Sequence, residues 1–192
     1  MSPPRGLAAR LTVGRTVLLG LALGGGVLAA TAPAWVRATT STAVAAQVPL
    51  AVSGAQAAPG VGAGGLVVLA AAGALALGGP AIRWTALAGT ALGGLLVVVF
   101  AFDALSGVQA AALAQARALT GVAVLDGQAL GTALPWVAAM LGAATVALAI
   151  GAGVAARSWP APGTRHERPS VAEEVSLWDA ADPDEPSPTR SR

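Results

Sequence analysis

The 192-residue sequence contains no cysteine and no tyrosine, and it also has neither lysine nor asparagine. Without cysteine, disulfide frameworks, thiolate metal sites and cysteine nucleophiles are excluded. Without asparagine there is no N-glycosylation sequon. Charge is scarce as well, since 10% of the residues are charged, against about 25% in a soluble globular domain. Because so few charges cannot cover a water-exposed surface, the composition excludes a soluble protein.

Apolar residues are abundant instead, making up 55% of the chain. A transmembrane helix needs about 20 predominantly apolar residues. Four uncharged segments meet that requirement, and the predicted spans are residues 16–36, 61–82, 84–102 and 134–156. We therefore expect an all-α integral membrane protein, a bundle of four transmembrane helices whose surroundings are the lipid bilayer.

The remaining segments are two tails, residues 1–15 and 157–192, and two loops, residues 37–60 and 103–133. In the first loop Val48, Leu50 and Val52 alternate with other residues, a pattern typical of a strand, which favours a small β-hairpin. In the second loop an Ala-, Gln- and Leu-rich stretch over residues 108–119 predicts a helix lying on the membrane surface. The proline-rich C-terminal tail is predicted to be largely disordered.

The first span has an alternative interpretation as a cleavable signal peptide. Basic residues precede its apolar stretch, and two small-residue patterns of the kind cleaved by signal peptidase follow, Ala30-Thr31-Ala32 and Ala32-Pro33-Ala34. Cleavage would remove the first span from the mature protein.

The arginines predict the orientation of the spans. Short basic segments next to a membrane remain in the cytoplasm. With four spans, one side of the membrane carries seven arginines near the bilayer: Arg5, Arg10, Arg15, Arg83, Arg157, Arg165 and Arg168. The other side carries Arg37 and Arg117. We therefore expect a multi-pass protein of the bacterial inner membrane with both termini in the cytoplasm.

Tryptophan positions agree with this topology. Tryptophan favours the membrane–water interface because its ring is apolar and its N–H group needs a partner. Four tryptophans fall at the predicted span ends and are expected to act as interface anchors: Trp35, Trp84, Trp136 and Trp159.

The spans contain no ionisable residue, which disfavours a self-contained proton-coupled transporter. Thr90 and Thr145 are their main mid-span polar residues, and we expect both hydroxyls to bond the preceding helical turn. Small residues recur at four-residue spacing, which permits close helix packing and a homo-oligomer. These residues are Gly20 and Gly24, Gly89 and Gly93, and Ala143, Ala147 and Gly151.

No motif supports catalysis, a metal or a cofactor. His166 is the only histidine, so a zinc site or a Ser-His-Asp triad has no partners. Asp103 and Asp126 could pair as carboxylates, but Asp103 is better explained as a cap after the third span and Asp126-Gly127 as a turn. The net charge of +2 arises because arginines flanking the membrane slightly outnumber carboxylates that lie mostly in the tail. It therefore does not indicate nucleic-acid binding. We expect no enzymatic activity.

A short amphipathic helix is predicted within the C-terminal tail, over residues 171–181. Ser170 and Glu173 have the spacing of a capping box. Val171, Val175 and Trp178 follow at the spacing of one helical face. This face either docks on a cytoplasmic partner or the membrane surface, or belongs to a transient helix.

Taken in order, these features resemble the tryptophan-associated transmembrane proteins of actinobacteria, which are encoded among tryptophan-biosynthesis genes. The residues that carry the resemblance are Trp35, Val52-Ser53-Gly54, Ala58-Pro59, Arg83, Trp159-Pro160, Arg165-His166-Glu167 and Leu177-Trp178-Asp179-Ala180. His166 stands where the family commonly has tyrosine, Ala181 stands for leucine, and the end reads Ser187-Pro188-Thr189. The resemblance implies an association with tryptophan biosynthesis and supplies neither mechanism nor active site.

Two functions follow as hypotheses. The first is a non-enzymatic membrane protein whose tail helix recruits a cytoplasmic partner. The alternative is a small carrier, or a subunit of one, for an aromatic metabolite. Because the spans lack polar residues at mid-membrane, the carrier would need to form an oligomer.

Overall fold

The computed structural model describes residues 12–41, 47–157 and 159. In chain order its elements are α1 (Val13–Thr31), β1 (Ala34–Thr40), β2 (Val48–Ser53), α2 (Gly54–Ala57), α3 (Pro59–Leu77), α4 (Pro80–Ser106), α5 (Val108–Thr120), β3 (Leu130–Gly131) and α6 (Leu134–Ala156). Four of these helices, α1, α3, α4 and α6, are long and apolar enough to cross a membrane. The prediction of four helices of membrane-spanning length is confirmed, in a fold whose described part is mostly helical and also contains three strands.

The four long helices form an antiparallel bundle. Helices α1 and α4 each pack against both α3 and α6, so they occupy opposite corners of the bundle. A short turn at Gly78 and Gly79 joins α3 to α4 at one end. The other connections meet at the opposite end and contain β1, β2, α2, α5 and β3. We call this second group of elements the cap.

The helix limits differ from the predicted spans where the sequence holds turn-forming residues. Helix α1 ends at Thr31 rather than at residue 36, because Pro33 interrupts it and the following residues pair as β1. Pro59 and Pro80 open α3 and α4, as expected for a residue whose missing N–H suits the first turn. Helix α6 has the predicted limits.

Glycine allows the long helices to approach closely. A Cβ atom at Gly64 of α3 would lie 2.8 Å from the Gly93 carbonyl oxygen of α4, and one at Gly93 would lie 2.9 Å from the Gly64 oxygen. Gly94 of α4 and Gly142 of α6 have the same reciprocal relation, at 2.9 Å in both directions. Such backbone approach through small residues is the usual way helices associate in lipid, where apolar side chains gain little by leaving the solvent.

Two of the small residues singled out by their four-residue spacing, Gly24 and Gly93, lie in close contacts between helices. A Cβ at Gly24 would lie 3.2 Å from the Gly65 carbonyl oxygen of α3. In α6 the residues Ala143 and Ala147 are exposed, and the helix packs on α4 through the face that contains Gly142. In an alanine-rich helix every face offers small residues, so spacing alone does not identify the contact face.

The cap is built on a three-stranded antiparallel sheet in the order β2-β1-β3. Leu50 and Val52 of β2 are buried, whereas Pro49 and Ala51 are exposed, which agrees with the alternation in the sequence. Helix α5 packs on β1 and β2 and buries Ala112 and Ala116 against them. The predicted helix over residues 108–119 is therefore present, with one face against the sheet.

Hydrogen bonds join the two connecting segments of the cap. The Asp126 N–H group donates to the Thr39 carbonyl at 2.9 Å, and the Thr39 hydroxyl donates to the Asp126 carbonyl at 3.0 Å. The Thr40 hydroxyl donates to the Val124 carbonyl at 2.8 Å. The sequence gives no sign of this association, because pairing between distant short segments leaves no local pattern.

Candidate functional site

Trp35 lies at the centre of the cap rather than at its surface. Its side chain is 1% exposed, and its indole Nε1 donates to the Ala30 carbonyl at 2.8 Å. That carbonyl belongs to the last turn of α1, where helical carbonyls lack the usual partner. The expectation that Trp35 anchors the chain in lipid headgroups is therefore wrong. The prediction failed because it extended the first helix beyond Trp35, whereas α1 ends at Thr31.

The other three tryptophans lie on the outside of the bundle or at its end. Trp84 is 52% exposed and Trp136 is 55% exposed, and the Trp136 ring meets Phe102 edge-on at 5.6 Å between centroids. The Arg83 guanidinium carbon lies 5.7 Å from the centre of the Trp159 ring. Their role as interface anchors stays a prediction.

A cleft in the cap is the candidate site for a ligand. It has a volume of about 410 Å³ and lies where β2 and α2 face the junction between α4 and α5. This volume falls within the range of small-molecule sites, about 300–1,000 Å³. The lining residues are Val52, Gln56, Ala57, Asp103, Ala104, Gly107, Ala110, Ala111, Ala114 and Gln115.

Local hydrogen bonds fix the two walls of this cleft. On one side a capping box joins Ser53 and Gln56: the Gln56 N–H donates to the Ser53 hydroxyl at 3.4 Å, and the Ser53 N–H donates to the Gln56 carboxamide oxygen at 3.2 Å. On the other side the Gly107 N–H donates to the Asp103 carbonyl at 2.9 Å. The Ser-x-x-Gln spacing of this capping box can be recognised in the sequence. The sequence does not show that the junction of α4 and α5 faces it across the cleft.

The two aspartates of the cap have different surroundings. Asp103 lies within α4, which continues to Ser106, rather than after the end of the third span as predicted, and it lines the cleft. Asp126 instead accepts a hydrogen bond from the Ser41 hydroxyl at 3.2 Å beside β1, and it is not among the described residues that line the cleft. Gly127 has a φ of 107°, as the predicted Asp126-Gly127 turn requires. The structure thus gives the two aspartates separate surroundings, and Asp103 is the carboxylate that the described residues bring to the cleft.

The two ends of the bundle differ in charge. Arg15, Arg83 and Arg157 lie at the end formed by the start of α1, the α3–α4 turn and the end of α6, and no acidic residue lies there among those described. At the cap end, Arg37 and Arg117 are balanced by Asp103 and Asp126.

The interior of the bundle presents few polar groups. The Thr90 hydroxyl donates to the Ala86 carbonyl at 2.9 Å, and the Thr145 hydroxyl donates to the Leu141 carbonyl at 2.8 Å. Both bonds run to the preceding turn of the same helix, so this prediction is confirmed. In the described part of the chain no three histidine or acidic side chains are close enough to hold a metal ion.

Several predicted features lie outside the described residues. They are His166, the predicted tail helix over residues 171–181, and its face of Val171, Val175 and Trp178. They stay predictions, as does cleavage of the first span.

Comparison with known proteins identifies the family. The sequence profile of the tryptophan-associated transmembrane proteins matches residues 17–188. The chain belongs to this family. Membership agrees with the four membrane-length helices, so the protein is a multi-pass membrane protein in contact with the lipid bilayer. No curated protein and no solved structure gave a significant match.

Proposed function

We propose that the protein is a non-enzymatic scaffold of the bacterial plasma membrane whose cytoplasmic tail holds a soluble partner active in tryptophan metabolism. The observation that carries this proposal is the unequal charge of the two bundle ends. The end at which α6 finishes carries Arg15, Arg83 and Arg157. Basic membrane-flanking segments stay in the cytoplasm, so this distribution supports a cytoplasmic tail, where biosynthetic enzymes are available.

The packing of the bundle supports a scaffold over a carrier. The reciprocal contacts Gly64–Gly93 and Gly94–Gly142 bring helix backbones together. The hydroxyls of Thr90 and Thr145 are used within their own helices. A carrier needs polar groups that are available to a substrate at mid-membrane, whereas these two hydroxyls are already bonded within their own helices.

The tail supplies the proposed docking element. Val171, Val175 and Trp178 recur at helical spacing behind the Ser170 cap. An isolated helix of this length is marginal in water, so burial of this apolar face against a partner would stabilise it. The family's association with tryptophan suggests an enzyme of tryptophan biosynthesis as the partner.

The test compares proteins captured by the full-length chain and by two tail variants after cross-linking in cells. We expect a tryptophan-biosynthesis enzyme to be enriched with the wild type and lost with Trp178→Ala. Leu177→Ala is the matched control, because Leu177 falls away from the face formed by Val171, Val175 and Trp178. Identical captures from the wild type and Trp178→Ala would overturn the proposal.

A further inference from the structure

We infer that the cleft of the cap binds a small molecule that carries a protonated amine on an apolar body. This inference concerns a site other than the tail, and it does not depend on which side of the membrane the cap occupies. It rests on the shape of the cleft, the charge of its lining and the nature of its walls.

The charge of the lining favours a cation. Asp103 is the one ionisable side chain among the described residues that line the cleft. The end of α4 and the start of α5 meet beside Asp103 at Gly107. The partial charges of these two helix ends are opposite in sign, so they offset one another and leave the Asp103 carboxylate as the net charge.

Polar groups other than Asp103 are placed to accept and donate hydrogen bonds. Gln56 and Gln115 come from opposite walls, on α2 and α5. The carboxamide of Gln56 is oriented by its bonds to the Ser53 N–H and hydroxyl, both at 3.2 Å. An oriented amide and a carboxylate that line the same cleft suit a ligand that has more than one polar atom.

The remaining lining is apolar and small. The side chains of these residues are too short to fill the cleft: Val52, Ala57, Ala104 and Ala111. Small-molecule sites commonly combine apolar walls with a few placed polar groups. A flat aromatic or short aliphatic body attached to an amine would therefore use both the walls and the carboxylate.

Binding is measured by isothermal titration calorimetry on the full-length protein in lipid nanodiscs. The probes are tryptamine, which has the amine and an apolar body, 3-methylindole, which lacks the amine, and indole-3-propionate, which carries the opposite charge. L-tryptophan is a fourth probe, which distinguishes an amino acid from a simple amine as the ligand. We expect tryptamine to bind more tightly than 3-methylindole and indole-3-propionate.

Two variants test the site itself. Asp103→Asn retains the shape of the side chain and should weaken tryptamine binding by about two- to fivefold, because Asp103 is exposed and solvent screens its ion pairs. Ala114→Leu should weaken binding of the same probe by filling the cleft. Asp126→Asn is the matched control and should bind as the wild type does. No tryptamine binding at millimolar concentration, or equal binding by the wild type and Asp103→Asn, would overturn the inference.

Discussion

Trp35 shows how one side chain joins the membrane bundle to the cap. Its indole N–H closes the end of α1 by donating to the Ala30 carbonyl. Its ring also packs so closely on Gly54 that a larger residue would not fit there, because a Cβ atom at this position would lie 2.5 Å from the indole. A residue that resembles an interface anchor in the sequence is therefore a core residue, because the helix ends at Thr31 and the chain turns back over it.

Replacement of Trp35 tests this role. We expect Trp35→Phe to lower the free energy of unfolding by about 1–3 kcal/mol, because the buried Ala30 carbonyl loses its donor. The measurement is a denaturant titration of the purified protein in detergent. Trp84→Phe is the control, and it should change stability by no more than about 0.5 kcal/mol because Trp84 is an exposed residue. Equal stability of Trp35→Phe and the wild type would contradict the structural role.

At the scale of elements, the helix contacts depend on a few glycines rather than on the general abundance of small residues. Gly64 and Gly62 lie on the same helix, but a Cβ at Gly64 would lie 2.8 Å from the Gly93 backbone oxygen, whereas one at Gly62 would meet nothing within 4 Å. A backbone oxygen cannot rotate away as a side chain can. The contact therefore cannot accept even one added methyl group unless the two helices move apart.

This difference gives a matched pair of variants. Gly64→Ala should destabilise the bundle by about 1–3 kcal/mol, as overpacking in a close contact does. Gly62→Ala should be neutral or stabilising by up to about 1 kcal/mol, because alanine favours helix over glycine. Unfolding in a rising mole fraction of sodium dodecyl sulfate would measure both. If the two variants were equally stable, the close contact between α3 and α4 would be contradicted.

The sequence predicts elements that depend on local patterns, and it does not predict contacts between distant residues. Long apolar segments identified four membrane-length helices, and the alternation of Leu50 and Val52 identified a strand, because both signals are local. The hydrogen bonds between Thr39 and Asp126 depend on residues far apart in the chain, and so does a cleft lined by both Gln56 and Asp103. No periodicity reports such contacts, so the cap sheet and the cleft became visible only in three dimensions.

For the whole molecule, the arginine distribution predicts which end faces the cytoplasm. The basic end holds Arg15, Arg83 and Arg157, whereas the cap end is balanced in charge. Because the positive-inside effect acts on short segments near the membrane, we expect the α3–α4 turn in the cytoplasm and the cap on the opposite side. The absence of cysteine from the chain makes single-cysteine labelling a direct measurement of this arrangement.

Two single-cysteine variants test this orientation. Ala118→Cys places a thiol on an exposed position of α5 in the cap, and Gly79→Cys places one in the α3–α4 turn, where a Cβ atom would meet nothing within 4 Å. A membrane-impermeant maleimide should label Ala118→Cys in intact cells and Gly79→Cys only after permeabilisation. The unsubstituted chain should remain unlabelled in both conditions. The reverse pattern would place the tail outside the cytoplasm and remove the basis of the proposed partner. Labelling of both variants in intact cells would indicate a mixed orientation, which the arginine distribution does not predict.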